Sequence, residues 1–266
     1  MEALDYLKTA HFTGEEAEGF LQAQLSADIS ELQPGNSTFA CYCSPRGQVY
    51  GLLLVCRTED EFLVSGSADL LPGMLQRLRM FVFRTRVEFA LDETRVVYGL
   101  QAQDPASDNQ VFTPGATGLR YMITEPHLDV SGGGRSFRAR EMINQVSWLS
   151  AETTEKFIPQ MLGYDQLGAV SFTKGCYPGQ EIVARAHYLG KVKRKPVILT
   201  VKEELSVAAL QRVELNRDEA WVKGTVIDSV IDDQGSTYLF AIAPADPEGP
   251  VSQFKLGEQV YRCATT

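Results

Sequence analysis

The chain has 266 residues and a mass of 29.4 kDa, with 44% hydrophobic and 22% charged residues, which excludes a disordered or fibrous polymer and suffices for a sizeable core. Twenty-five Lys and Arg against 34 Asp and Glu give a net charge of −9, which excludes a surface that grips nucleic acid or an anionic membrane over its whole extent. Any basic site must be local, and the length suits two packed lobes or one large unit. The start, MEALDYLKTAHF, is charged at Glu2, Asp5 and Lys8, and the longest aliphatic run, Leu52 to Cys56, is far too short to span a bilayer. A cytosolic protein without a membrane partner is expected. Five cysteines in a chain this long read as reduced thiols rather than a disulfide framework, and a monomer is expected.

Thr13 followed by Glu16 fits a capping box, and Ala17, Phe20, Leu21 and Leu25 give the helix that follows an apolar side. Thr38 to Cys43 and Gln48 to Cys56 read as two strands joined by the tight reversal Ser44-Pro45-Arg46-Gly47. Glu61 to Ser65 is a third strand, and Ser67 is placed to cap a helix carrying Leu70, Leu71, Met74, Leu75 and Leu78. Between Met80 and Glu88 the pattern is period two, predicting a strand with Arg84, Arg86 and Glu88 on one side. Val96 to Gln101 is another strand, Gln103 to Gly118 a loop, and Ser131-Gly132-Gly133-Gly134 a plain turn rather than a phosphate cradle, with no helix start read after it. Glu141 to Ser147 and Thr154 to Leu162 read as helical. After Lys195-Pro196 come short strands at Pro196 to Val201, Arg212 to Leu215, Gly224 to Ile231, Ser236 to Ile242 and Gln259 to Tyr261, the pattern of a small antiparallel barrel. A boundary near residue 195 therefore divides the chain into 1–195 and 196–266.

The chemistry concentrates in Lys174-Gly175-Cys176-Tyr177-Pro178-Gly179-Gln180-Glu181, a two-glycine loop running into the predicted helix Ile182-Val183-Ala184-Arg185-Ala186. Free backbone N–H groups at such a helix start hold an anion or favour a thiolate, and Lys174 adds a full charge, making Cys176 a candidate reactive thiol. The same spacing also fits a small buried cysteine with glycines that only make the turn. Residues 174 to 195 contain six Lys and Arg against one Glu, a net +5 that leaves −14 for the remainder of the chain. The cations Arg185, Lys191, Lys193, Arg194 and Lys195 suit an anionic ligand such as a polyglutamylated cofactor or an RNA backbone, or simply complement the helix dipole.

The octapeptide resembles the K-G-C-[aromatic]-x-G-Q-E signature of the YgfZ family, folate-binding relatives of the glycine-cleavage T-protein that act in iron–sulfur protein maturation. The flanks agree: Phe157-Ile158-Pro159-Gln160-Met161, Gln166-Leu167-Gly168, Val183-Ala184-Arg185-Ala186, Gly190 with Lys193-Arg194, the N-terminal segment Phe20 to Asp28, and the Ser44 to Gly47 turn. The resemblance implies an α+β, T-protein-like fold in which mixed α/β subdomains and a small C-terminal antiparallel barrel surround a central opening for tetrahydrofolate. It implies that Cys176 is the functional thiol, with Lys174, Gly175, Tyr177, Gly179, Gln180 and Glu181 shaping its loop. Where relatives place tryptophans against the pterin, this sequence has Tyr6-Leu7 and Phe137-Arg138, so Tyr6, Phe137, Arg138 and Arg185 are the cofactor-binding candidates. Iron–sulfur client or assembly proteins are the implied partners.

Other constellations are weaker. Cys41 and Cys43 share a strand face and Cys56 lies at the far end of the paired strand, so packing is expected there, and His11, His127 and His187 lack ligand spacing; no structural metal is expected. Serine-hydrolase, phosphate-loop and dinucleotide fingerprints are absent. Glu141 and Glu152 read as exposed helix glutamates, and Trp148 and Trp221 as packing residues. The sequence thus favours a folate-binding accessory factor, with a tetrahydrofolate-dependent aminomethyl transferase as the alternative. A direct tRNA-binding module is less favoured, because the −14 remainder opposes it.

Overall fold

The computed structural model describes residues 1–104, 111–126, 133–190, 192–217, 220–246 and 249–264. The chain starts with the two-residue strand β1 (Glu2–Ala3), then β2 (Leu7–Thr13), α1 (Ala17–Gln24), β3 (Ser37–Cys43), β4 (Val49–Arg57), β5 (Phe62–Ser67), α2 (Leu71–Arg79) and β6 (Glu88–Asp92). Five of these strands form an antiparallel sheet in the order β3-β4-β5-β2-β6. Both of its faces are covered, which is why β4 is a nearly continuous apolar run. Ala40, Tyr42, Leu53 and Val55 point to α1 and α2, whereas Cys41, Cys43, Leu52, Leu54 and Cys56 point into the central core. The three cysteines are packing residues, as their alternation suggested.

A second sheet, β1-β7-β9-β8, adds β7 (Val96–Leu100), β8 (Val111–Phe112) and β9 (Arg120–Thr124), and α3 (Arg135–Ile143) follows it. The chain then passes through a single 3-10 turn, Pro159–Leu162, into α4 (Gln180–Tyr188). The last part is a six-stranded antiparallel sheet in the order β10-β13-β12-β11-β14-β15. It comprises β10 (Arg194–Val201), β11 (Arg212–Arg217), β12 (Ala220–Ile231), β13 (Thr237–Pro244), β14 (Gln253–Leu256) and β15 (Gln259–Arg262). The Ala264 N–H donates to the Thr200 carbonyl at 2.7 Å, drawing the chain after β15 to β10 at the opposite edge.

Leu199, Val213, Leu215, Val226 and Phe254 fill the interior of this sheet, whereas Ile227, Val230, Phe240 and Ile242 join the central core with Phe39, Tyr121, Phe137 and Trp148. The register of β12 against β13 shifts between Val226 and Asp228, so two successive residues, Ile227 and Asp228, face the α3 side.

Several local expectations are corrected. Thr13 ends β2, and the Glu16 carboxylate accepts the Arg86 N–H at 2.7 Å, so no capping box forms. Ser67 ends β5 and gives only its carbonyl to the Leu70 N–H; Leu70 is the cap of α2 and makes no side-chain capping bond. No strand starts at Met80, because the Met80, Phe81 and Val82 N–H groups bond back to residues 77 to 79 and continue the turn off α2. A helix does follow the glycine run: Gly134, in the left-handed region at φ 64°, caps α3. That helix ends at Ile143, where Gln145 turns to φ 61° and the Val146 N–H closes on the Glu141 carbonyl, so only the first three residues of 141–147 are helical. The segment 154–162 is helical only at its end, since Glu155 and Phe157 bond to Val49 at the start of β4. Trp148 is buried edge-on to Phe39, and Trp221 is half-exposed under the Lys255 ammonium, 3.9 Å from its ring centre.

Candidate functional site

The 174–181 loop is held from three sides. Ser26 Oγ donates to the Ala169 carbonyl and the Ser171 N–H to the Ser26 carbonyl, fixing the approach to the loop beside the segment after α1. The Lys174 ammonium is buried and donates to the carbonyls of Gln22, Leu25 and Ala27 at 2.5, 2.7 and 2.8 Å. Burial pulls its pKa down to about 8, opposed by the nearby Asp28 carboxylate. Lys174 is therefore a clamp: the full charge expected from it is directed into three backbone carbonyls. Tyr177 is buried, with the Lys174 ammonium 5.6 Å from its ring centre.

Gly179 caps α4 at φ 82°, where a side chain would be strained, and a Cβ there would stand 2.3 Å from the Ser44 carbonyl oxygen. Gly47 reciprocates: a Cβ on it would lie 2.9 Å from the Ile182 Cβ. The tight β3–β4 turn thus seats directly on the start of α4, and both glycines are needed for the approach. With the clamp and the turn in place, Cys176 is left exposed, as are Gly175 and Glu181, while Gln180 is half-buried at the first position of α4. Arg185 is exposed in the last turn of α4, Lys193 and Lys195 are exposed, and Arg194 is half-buried at the start of β10. Lys191 lies outside the described residues.

The second candidate group converges only in part. Tyr6, between β1 and β2, and Arg138, on α3, border a cavity of about 420 Å³ together with Asp5, Gly133, Arg135 and Glu204. The Arg138 guanidinium lies 5.1 Å from the Tyr6 ring centre and pairs with Asp228 on β12 at 2.5 Å. Phe137 does not reach this cavity. It is fully buried, edge-on to Tyr121 at 5.2 Å, and has no aromatic face to offer a ligand. Arg185 is not among the cavity's lining residues.

Behind the cavity wall lies a residue the sequence reading set aside. Glu141 is fully buried, not an exposed helix glutamate, and accepts hydrogen bonds from the hydroxyls of Tyr6 and Tyr121, each at 2.7 Å. Burial pushes its pKa up to about 7, although both hydroxyls favour the ionised form. Asp228 is also buried and raised by burial, with Arg138 opposing the shift. Glu152, by contrast, is exposed and takes a hydrogen bond from Ser150. With α3 placed at 135–143, Phe137 and Glu141 stand four residues apart on its inner side, which is the signal that marks the carboxyl.

No protein-family model matches the chain. Its sequence is 29% identical over 286 aligned positions to the tRNA-modifying protein YgfZ of Escherichia coli O157:H7, covering 95% of this chain and 87% of that protein. It is 28% identical to the tRNA-modifying protein YgfZ of Escherichia fergusonii, covering 97% and 89%. The chain is a homologue of YgfZ. The glycine cleavage system aminomethyltransferase T of Bartonella henselae superposes over 97% of this YgfZ homologue and 82% of its own chain, with a TM-score of 0.69 at 17% identity. The fold is therefore that of the T-protein, with the thiol loop leading into α4 and the Tyr6–Arg138 cavity between α3 and the C-terminal sheet. Among the described residues, no helix is long and apolar enough to cross a membrane.

Proposed function

We propose that the protein is a cytosolic, folate-binding accessory factor that supports assembly or repair of iron–sulfur enzymes, tRNA-methylthiolating enzymes among them. The observation that carries the reading is the exposed Cys176 on a loop whose neighbours are immobilised by the Lys174 clamp and the Gly47–Gly179 contact. A loop that served only to turn the chain would not need a buried ammonium to hold it while leaving its thiol in water. The tRNA-modifying description of its relatives agrees with this role.

The Tyr6–Arg138 cavity suits a reduced folate in size and in kind. Its volume of about 420 Å³ is within the usual range for small-molecule pockets. The Tyr6 ring offers a face for stacking, and the exposed Arg135 offers a cation to a glutamate tail, while Arg138 is already committed to Asp228 and positions Tyr6. A bound tetrahydrofolate supplies a carrier for a one-carbon unit. Asp5 and Glu204 at the rim accept hydrogen bonds from an amino heterocycle, and the basic residues 185 and 193 to 195 steer an anionic tail.

The T-protein fold gives the second reading, a tetrahydrofolate-dependent aminomethyl transferase. A paired assay separates the two. Titration of the purified chain with tetrahydrofolate is expected to show saturable binding that Arg135→Glu weakens, and glycine cleavage with a lipoyl carrier is expected to show no turnover. Turnover would establish the transferase, and absence of binding would remove folate from the account.

A further inference from the structure

Helix α4 is fastened to the rest of the protein by the buried Val183, by the Gln160 amide, which donates to the Val183 carbonyl at 2.7 Å, by the 44–47 turn against its start and by Phe172 stacked on His187. Three apolar residues of the helix and its end nevertheless remain well exposed. Ile182 is 45% exposed, Tyr188 65% and Leu189 83%, and Leu189 is the most exposed large hydrophobic among the described residues. Ile182, Arg185 and Leu189 follow one another at i, i+3 and i+7, so they share a face, and the Leu189 N–H still closes on the Arg185 carbonyl at 3.0 Å. Tyr188 is backed by Phe172, edge-on at 6.1 Å, and Phe172 is itself stacked on His187 at 3.7 Å. The aromatic edge of the face is therefore supported from below.

The charges around this face have one dominant sign. The turn that carries Arg46 seats on Ile182, Arg185 lies within the face, and Lys193 follows its end by four residues; Glu181 is the lone acidic residue between 174 and 195. Exposed Cys176 precedes α4 on the same stretch of chain. An apolar stripe framed by cations complements an amphipathic segment with acidic flanks.

We propose that the outer face of α4 docks an acidic, amphipathic segment of a partner protein and so presents that partner to Cys176. This rests on the reading of 174–181 as the working loop and names the chemistry of the surface it works on. The aliphatic anchors favour protein over RNA: Ile182 and Leu189 gain nothing from phosphate or base edges, and Tyr188 is the single well-exposed aromatic ring of the face. A second copy of the chain is the other acidic candidate, given the −14 carried outside 174–195.

The test places the photoreactive residue p-benzoylphenylalanine at Leu189 of the full chain in complemented cells, with the same residue at exposed Glu258 as control. The segment crosslinked at 189 is mapped by mass spectrometry, synthesised, and titrated against the wild-type chain, Arg185→Glu and an Ile182→Ser/Leu189→Ser chain. The expected result is a net-negative amphipathic segment of a second protein whose affinity falls about tenfold or more in both variants and declines with added salt. Thermal melts of the variants are expected to match wild type, and the Ile182→Ser/Leu189→Ser chain is expected to titrate tetrahydrofolate as wild type does. Crosslinking no stronger at 189 than at 258, an adduct with RNA or with a second copy, a segment without acidic flanks, or affinities within about twofold of wild type would each overturn the proposal. If the segment binds as expected while a chain without the thiol still works in cells, docking stands and the reading of Cys176 falls. If the thiol is needed and no segment is found, docking alone falls.

Discussion

Two buried ionisable groups hold the two halves of the candidate site, and they do so in opposite ways. Lys174 is surrounded by backbone carbonyls from the end of α1 and the segment after it, some 150 residues away in sequence. Its donors are matched by acceptors that cannot titrate, so the only proton dependence of the clamp is that of the ammonium itself, which burial lowers to about 8. Glu141 is surrounded by side-chain hydroxyls, Tyr6 and Tyr121, and burial moves its proton into the neutral range. The two groups thus give a strut beneath the thiol loop that keeps its charge up to about pH 8 and a support behind the cavity wall that changes charge near pH 7. A buried charge does not have one meaning; its partners decide whether it is structural or adjustable.

The largest effect is expected from removing the strut. Lys174→Met leaves three carbonyls without their donor and should cost about 4 kcal/mol, read as a lowered urea midpoint with an unchanged slope. A loss below about 1 kcal/mol would mean that water replaces the ammonium and the clamp is dispensable.

Next in size is the proton dependence of Glu141. The native carboxyl holds its proton up to about pH 7, whereas the unfolded chain releases it near 4.5, so the native state binds more protons between those values. Stability from this group is full below 4.5 and is lost as the pH rises to about 7, a change of about 3 kcal/mol. Glu141→Gln mimics the protonated acid, so the difference in stability between variant and wild type should grow by that amount across the window. A constant difference would show that Glu141 is ionised throughout.

Gly179→Ala should cost about 2 kcal/mol, because the position sits at φ 82° and its Cβ would press on the Ser44 carbonyl. The expected structural sign is displacement of the 44–47 turn from α4, visible as increased hydrogen exchange at Gly47. The smallest effect is expected at the thiol. Cys176→Ser is exposed and should change stability by less than about 0.5 kcal/mol, which makes it a clean probe of function.

The legible parts of this molecule were those with local causes. The β3–β4 hairpin follows from alternation and one turn, and the α4 start follows from a glycine before a helical run. The thiol loop was found by its spacing, but the role of Lys174 was not, because its acceptors lie near residues 22 to 27 and no local pattern reports them. Glu141 was missed for a related reason: the helix was placed six residues late, and in that frame a glutamate looks solvated. Phe137 was offered as a ligand face, yet an aromatic beside Tyr121 in the central core has already spent its surface on packing. The strand expected at Met80 failed because turns off a helix end can imitate period-two exposure.

The central claim is that the exposed thiol, on its clamped loop, is the working group of the protein. The direct measurement is tRNA methylthiolation in cells lacking the native gene, comparing wild type with Cys176→Ser at matched expression. The account predicts that wild type restores the modification and the serine variant does not, although both chains fold and bind tetrahydrofolate alike. Equal restoration by both chains would contradict it and reduce Cys176 to a surface residue.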